Sequence, residues 1–251
     1  MVRAGGVTHP GHVRKINEDC WLADRELGLF VVADGMGGHN AGEVASQLAV
    51  EAIRGFLSRT MESEDFTWPY GIDPALSFDA NRLSTAVKLA NRRVFKLGES
   101  RDDYTGMGCT VVVVFIHEGR TIYASVGDSR IYAFSNDRLE QLTVDDSWIA
   151  EFLAREPNMS REALANHPLR HVLTNVIGAR ETLELKVLER PVRENERLLL
   201  CSDGLHGAIG VDALERILAA DSPVETMGEE LLNAVLAGPA EDNITAVVIR
   251  T

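Results

Sequence analysis

The chain has 251 residues, 45% of them apolar and 25% charged, with 25 Lys and Arg against 38 Asp and Glu for a net charge of −13. That ordinary globular composition excludes disorder and fibrous repeats, and a chain of this length can bury roughly three quarters of its unfolded surface, which removes any need for a disulfide or structural metal in folding. The acidic balance excludes duplex nucleic acid as a partner, because phosphates must be met by clustered cations.

The first strand predicted is Leu29 to Ala33, a short apolar, β-branched run ending at Asp34-Gly35. Ala41, Val44, Ala45, Leu48, Ala49, Ala52, Ile53 and Phe56 then recur at helical spacing, with Glu43, Gln47, Glu51 and Arg54 opposite. A second helix carries Leu83, Ala86, Val87, Ala90, Val94 and Leu97 on one face. Between the helices, residues 60–79 hold Pro69, Gly71 and Pro74 together with Trp68, Tyr70 and Phe78, an insertion loop expected to pack on the body of the protein.

From Thr110 the pattern is a meander: strands at Thr110 to Ile116, Thr121 to Val126, Arg130 to Phe134 and Arg138 to Leu142, joined by short turns that permit only antiparallel neighbours. Residues 143–171, broken by Pro157 and Pro168, are helical in patches. Further strands are predicted near Val172 to Ile177, Leu183 to Leu188 and Arg197 to Cys201. Two helices follow, the second opening with Ser222-Pro223-x-Glu225, a capping box with proline at its first position, and stopping at Gly238-Pro239. Ile244 to Ile249 is the last strand.

This order predicts an α+β fold: two antiparallel sheets packed face to face with helix pairs on the outer faces, as one domain over 1–251. No apolar run reaches the roughly 18 residues that cross a bilayer, and the first residues lack the apolar core of a secretory signal. Cys20, Cys109 and Cys201 are odd in number, far apart and without a Cys-x-x-Cys pair, so reduced thiols and a cytoplasmic location are expected.

The chemistry lies in where the aspartates fall. Asp34, Asp128, Asp203 and Asp242 each sit at the end or beginning of an apolar strand. Any one of them can be a turn residue, since Asp bonds its own backbone and a following Gly takes positive φ. Asp34, however, runs into Gly35-Met36-Gly37-Gly38, more glycine than a hairpin requires, which exposes backbone to a ligand. Asp203 leads through Gly204-Leu205 into a helix. Neither segment supplies a lysine, so converging carboxylates would need a cation, and oxygen donors favour Mg²⁺ or Mn²⁺. Arg14 precedes Glu18-Asp19, readable as a solvated ion-pair cluster or as a guanidinium fork for a phosphate. A Gly-x-x-x-x-Gly-Lys loop, the kinase signatures and an Asp-x-Asp after the first strand do not occur.

Arg14-x-x-Asn17-Glu18-Asp19, Asp34-Gly35-Met36-Gly37-Gly38, Gly127-Asp128-Ser129-Arg130, Ser202-Asp203-Gly204 and Asp242-Asn243 resemble, in order, the motifs of the PP2C (PPM) metal-dependent protein serine/threonine phosphatases, the methionine being similar to the bacterial branch. The resemblance runs from about Thr8 to Arg250. It implies a β-sandwich with a two-metal centre of Mn²⁺ or Mg²⁺ at one end. Asp34 would bridge both ions, the Gly35 carbonyl would bind the second, and Asp203 and Asp242 would hold the first. Asp128, with Asp203, would hold a weaker third ion. Glu18 and Asp19 would act through bound waters, Asn243 would orient Asp242, and Arg14 would grip the phosphate. It further implies hydrolysis of phosphoserine and phosphothreonine by a hydroxide shared between two ions, a phosphoprotein substrate, a cognate Ser/Thr kinase and a monomer. The alternative is a catalytically weak domain that only binds phosphopeptides. Residues 143–171 correspond to the family's variable flap. Met36 stands where many eukaryotic relatives carry a histidine, which leaves a bound water, His12, His39 or His206 as the proton donor. Asp145-Asp146 stands where relatives often show Asp-His.

Overall fold

In the computed structural model, which describes residues 2–38, 41–62, 66–155, 167–169 and 172–251, the apolar runs become strands covered on both faces. Strand β3 (Leu29–Met36) shows the logic. Leu29, Val31 and Ala33 pack against the long helices α1 (Ala41–Glu62) and α2 (Phe78–Ser100). Phe30 and Val32 point the other way, into a central layer with Ile131, Leu198, Leu200, Val247 and Ile249 from the facing sheet. Burial on both sides is why the sequence reads as a continuous apolar run.

One sheet has the order β2 (Asp19–Asp24), β3, β5 (Val111–His117), β6 (Arg120–Val126) and β9 (Val187–Pro191), with the two-residue β4 (Gly108–Cys109) added to β3. The other has the order β1 (Arg3–His9), β11 (Ile244–Arg250), β10 (Arg197–Cys201), β7 (Arg130–Ser135) and β8 (Arg138–Gln141). Every pairing is antiparallel. Beyond α3 (Trp148–Arg155) and a helical turn α4 (Asp203–His206), helices α5 (Val211–Ala219) and α6 (Val224–Leu236) cover the outer face of this second sheet through Leu214, Leu218, Met227 and Leu231, against Leu199 and Cys201. The expected sandwich of two antiparallel sheets between helix pairs is the fold found.

Several local expectations are corrected. Strands β1 and β2 precede the first predicted strand. Their signal is weak because β1 carries Gly5-Gly6, and Gly6 is needed there: a Cβ would lie 2.4 Å from the Trp21 ring on β2. The short turn at Gly127-Asp128-Ser129 does not join antiparallel neighbours. Strands β6 and β7 lie in different sheets, and the chain crosses the sandwich there with Gly127 at φ 95°. Residues 172–177 form no strand, only single bridges of Leu173 to Ser147 and Ile177 to Cys109. The strand predicted at Leu183 to Leu188 is shifted to Val187–Pro191. Helix α6 begins at Val224 with Pro223 as its cap, and no side chain caps it, so the predicted capping box does not form.

Between α1 and α2, Phe66, Trp68 and Phe78 stack with ring centroids 4.9–6.2 Å apart, and the Arg82 guanidinium lies 4.5 Å over Phe78. In the 143–171 segment Trp148 stacks on His167 at 4.3 Å; residues 156–166, 170 and 171 lie outside the described residues.

Candidate metal centre

All the singled-out acidic positions fall on one rim of the sandwich. Antiparallel pairing sets the start of β2 opposite the end of β3, with Asp19 in register with Asp34. The same rule sets the β6–β7 crossover beside the end of β10 and the start of β11. Asp128, Asp203, Asp242 and Asn243 therefore arrive with Asp19 and Asp34, although the set is drawn from both ends of the chain. Asp34 is not a turn residue: β3 continues through it to Met36.

Close backbone packing explains the glycines. A Cβ on Gly35 would lie 2.1 Å from the Gly42 carbonyl oxygen, and one on Gly42 would lie 2.3 Å from Glu18 Oε1, so the amino end of α1 can settle on β3 only with both side chains missing. Gly204 has the same role: its Cβ would sit 2.0 Å from the Asn243 carbonyl oxygen, which lets Asp203 approach β11. Within the run after Asp34, Gly38 alone has open space about it.

Buried hydroxyls hold the carboxylates in place. Ser202 Oγ donates to Asp19 Oδ2 at 2.9 Å and accepts from the Thr245 N–H at 3.0 Å. Thr110 Oγ1 accepts from the Asp34 N–H at 3.1 Å and shares a 2.7 Å hydrogen bond with Ser129 Oγ, tying the Asp128 turn to β3. Sequence reasoning does not single out Thr110 and Thr245, because a threonine inside a strand has no pattern of its own. Ser129 and Ser202 stand within the motifs, which assign them no role.

Asn243 meets Asp242 through its backbone and uses its side chain elsewhere. Its backbone N–H donates to Asp242 Oδ1 at 2.9 Å, while its amide donates to the carbonyls of Pro10 and Ile16 and accepts from the Glu18 N–H at 2.8 Å. The 10–18 loop is clamped to the start of β11 by these bonds. Arg14, on that loop, meets Asp242 through Nη2 alone at 2.8 Å and is half exposed. The expected pairing of Arg14 with Glu18 and Asp19 is thus replaced by one with Asp242.

The electrostatics are those of an array in which carboxylates outnumber cations, Arg14 meeting Asp242 and Arg130, held by Asp145, acting on Asp128. Burial, then Asp19, Asp203 and Asp128, pushes Asp34 well above the usual carboxylate range. Asp128 is pushed up to about 7 by burial, Asp203 and Asp145. Asp19 is pushed up to about 6, by burial and by Asp203 and Asp242 against the hydroxyls that hold it. Glu18 is raised by burial. Asp19 Oδ1 and Glu18 Oε1 are buried with no hydrogen-bond partner. Leaving such atoms unpaired costs about 1–3 kcal/mol each, more for a charge, unless something outside the chain satisfies them. Hard oxygen donors, orphaned and mutually repelling, fit divalent cations of the Mg²⁺ or Mn²⁺ type. The array is spread, as repulsion requires. Among the described residues the one set of three that brings a ligand atom from each within 4.8 Å of the others is Asp79, His117 and Glu118. There Asp79 is already engaged by Arg82 at 2.8 Å and His117 at 2.6 Å.

The histidines are placed as follows. His206 is partly buried, and desolvation followed by Arg130 holds its ring below the ordinary histidine range. The neutral ring donates from Nε2 to the Asp128 carbonyl at 3.0 Å, so that proton braces the turn. His12 Nε2 meets the Leu236 carbonyl at 3.0 Å. His39 lies outside the described residues. Asp145 grips Arg130 through two parallel bonds of 2.9 and 2.7 Å, and Asp146 Oδ2 accepts from the Gly127 N–H and Asn175, so both brace the crossover that carries Asp128.

The chain is similar to known proteins over nearly its whole length. The sequence model of the family described as Protein phosphatase 2C matches residues 11–245. The serine/threonine phosphatase stp of Listeria innocua is 31% identical over 249 residues, covering 96% of this chain and 93% of the relative. The solved structure of the Mycobacterium tuberculosis serine/threonine phosphatase PstP/Ppp superposes with a TM-score of 0.83 at 31% identity, covering 99% of this chain and 98% of that one. A structure of the PstP catalytic domain in complex with two manganese ions superposes with a TM-score of 0.82 at 30% identity, covering 99% and 97%.

Proposed function

The chain belongs to the protein phosphatase 2C family, as a protein serine/threonine phosphatase with a divalent metal cofactor, and we propose from this premise which of its residues do the work. Asp34, Asp203 and Asp242, with the Gly35 carbonyl, are the residues to hold two ions, and Asp128 with Asp203 a third. Glu18 and Asp19 serve through water. Two divalent ions supply there what the side chains lack, a water acidified to a nucleophile near neutral pH and positive charge for the phosphoryl oxygens.

The chain's own contribution is placement. Because Asp242 engages Arg14 through a single nitrogen of a half-exposed side chain, the remaining guanidinium donors are available to phosphate oxygens. Asn243 holds the loop that carries Arg14, so phosphate grip and metal ligand are fixed by one clamp. Thr110 and Ser129 lock Asp128 to Asp34, and Ser202 locks Asp19, so the acidic oxygens are preorganised before anything binds. The observation that carries this reading is the set of acidic side chains gathered on one rim, raised by burial and by one another, with Asp19 Oδ1 and Glu18 Oε1 left without partners and Arg14 beside them.

The substrates are phosphorylated proteins, and the physiological role is to remove marks set by a Ser/Thr kinase. Purified protein with Mn²⁺ is expected to release phosphate from a phosphothreonine peptide and from p-nitrophenyl phosphate, and EDTA to abolish both. Release that persists at full rate in EDTA would overturn the metal assignment.

A further inference from the structure

Two residues past Asp34 on the same face of β3, Met36 opens a second feature of the rim. A pocket of about 290 Å³ lies between Met36, Phe95, Gly98, Met107, Val176 and Ala179. Side chains two apart on a strand are roughly 7 Å apart, so the pocket begins within one or two peptide units of the carboxylates. Its far wall is firmly held. Asn91, buried on α2, donates to the carbonyls of Arg180 and Glu181 and accepts from the Gly178 N–H at 2.8 Å, clamping the 178–181 turn to the helix. Gly178 stands at φ 89°, and a Cβ there would strike Val94 at 2.4 Å. The volume suits one apolar side chain better than a small-molecule ligand, for which pockets start near roughly 300 Å³.

The surroundings say what kind of chain enters. Arg92 and Lys96 share with Phe95 one helix face, spaced three and four residues apart, and both are exposed. Arg93 beside them and Arg180 beside Ala179 are exposed as well. None of the four forms an ion pair among the described residues, and from Lys88 to Leu97 helix α2 holds four cations and no anion in a protein of net charge −13. This basic strip, with Glu99 at the pocket's edge as its nearest anion on α2, borders a largely apolar pocket next to the candidate centre and is complementary to one occupant: an extended segment of the phosphoprotein substrate. We propose that this surface selects substrates carrying an apolar residue two or three positions from the phosphoresidue and acidic residues beyond it, the apolar side chain entering the pocket and the acidic ones meeting Arg92, Lys96 and Arg180. This rests on the phosphatase reading of the rim and adds to it the class of sequence that the rim accepts.

The test uses the whole chain with Mn²⁺ on phosphothreonine peptides bearing Leu or Gly at two and three positions to either side of the phosphoresidue, each followed by Glu or by Gln, with p-nitrophenyl phosphate as the substrate too small to reach the pocket. The Leu-Glu peptides of one polarity are expected to exceed their Gly counterparts about tenfold in kcat/KM, mostly through KM, as one apolar contact allows. Ala179→Trp fills the pocket and erases the Leu preference while p-nitrophenyl phosphate is hydrolysed at the wild-type rate. Arg92→Glu with Lys96→Glu erases the Glu preference and keeps that for Leu. Wild-type protein that hydrolyses all the peptides alike, or an Ala179→Trp variant that still prefers Leu, overturns the proposal and leaves the pocket to another occupant. Wild-type protein inactive on every substrate overturns instead the hydrolytic reading beneath it.

Discussion

Strand β10 has a carboxylate at each end, Glu196 buried and Asp203 partly so, and the two ends surround it with opposite charge. Glu196, just before the strand, is wholly buried and ringed by cations: Arg190 lies 2.9 Å from one oxygen and Arg193 3.8 Å from the other. Asp203, just past the other end, meets Asp34, Asp19 and Asp128, and the cations that reach this group are held at its margins, Arg130 by Asp145 at 2.7 Å and Arg14 by Asp242 at 2.8 Å. At Glu196 the neighbouring charges are cations, which offset the burial that raises its carboxyl even though Oε1 accepts no hydrogen bond, and a carboxylate held this way needs no partner from outside the chain. One left among its own kind is stable only with a cation from outside. The contrast separates a structural ion pair from a metal centre without appeal to the identity of either.

Neutralising one carboxylate at each end puts this contrast to its most severe trial. Asp203→Asn is expected to lower turnover roughly a thousandfold, about 4 kcal/mol of barrier, and to weaken Mn²⁺ binding by calorimetry, while the metal-free protein melts no lower than wild type. Glu196→Gln is expected to do the reverse. Leaving Arg190 without its buried partner costs about 3 kcal/mol of stability, with turnover per folded molecule unchanged. Two variants that lose stability and activity in the same proportion would show that the ends of β10 do not differ in kind.

A second, somewhat smaller effect is on pH. Asp19 and Asp128 have folded-state values of about 6 and about 7 against an ordinary 3.8. Between about pH 4 and 7 the folded chain therefore holds protons that the unfolded chain has released, so these groups lose stability as pH rises, on the order of 3 kcal/mol per carboxylate. Asp24, held below its ordinary value by the Leu27 N–H and by Arg54, works in the opposite direction but only in more acidic solution. In EDTA the melting temperature should fall from about pH 5.5 to about 7.5, and the gain on adding Mn²⁺ should be larger at the upper end. A melting temperature in EDTA that rises over this range would mean that the rim carries no unbalanced charge.

What is legible in the sequence follows from which forces leave a local trace. Alternation and apolar runs mark β3, β5, β6, β7, β10 and β11, and the aspartates at their ends point to the rim. The crossover at Gly127 reads as a hairpin turn because a glycine at positive φ serves both, and only packing against Thr110 decides which sheet the next strand joins. Strand β1 leaves no signal because Gly6 gives way to Trp21, a residue of another strand. The further role of the Asn243 side chain is hidden in the sequence for the same cause. Its neighbour in sequence is Asp242, but its amide reaches Pro10 and Ile16 near the opposite end of the chain.

Arg14 gives the smallest predicted effect and the one closest to the boundary between the two kinds of ion pair. Its bond to Asp242 has the form of the Glu196 pairs, yet half of its side chain lies in water, where an ion pair contributes about 0–1 kcal/mol. If the bond were structural, Arg14→Lys would be neutral, since lysine can make a single contact equally well. If Asp242 instead holds the guanidinium so that its other donors face a phosphate, lysine loses the fork, and KM for phosphopeptide should rise about tenfold, roughly 1.4 kcal/mol, with kcat and melting temperature nearly unchanged. Inhibition by inorganic phosphate should weaken in parallel, because that ion needs only the fork and the metals. An Arg14→Lys enzyme with wild-type KM and wild-type phosphate inhibition would place Arg14 with Glu196, as a residue that completes the fold and leaves the substrate to others.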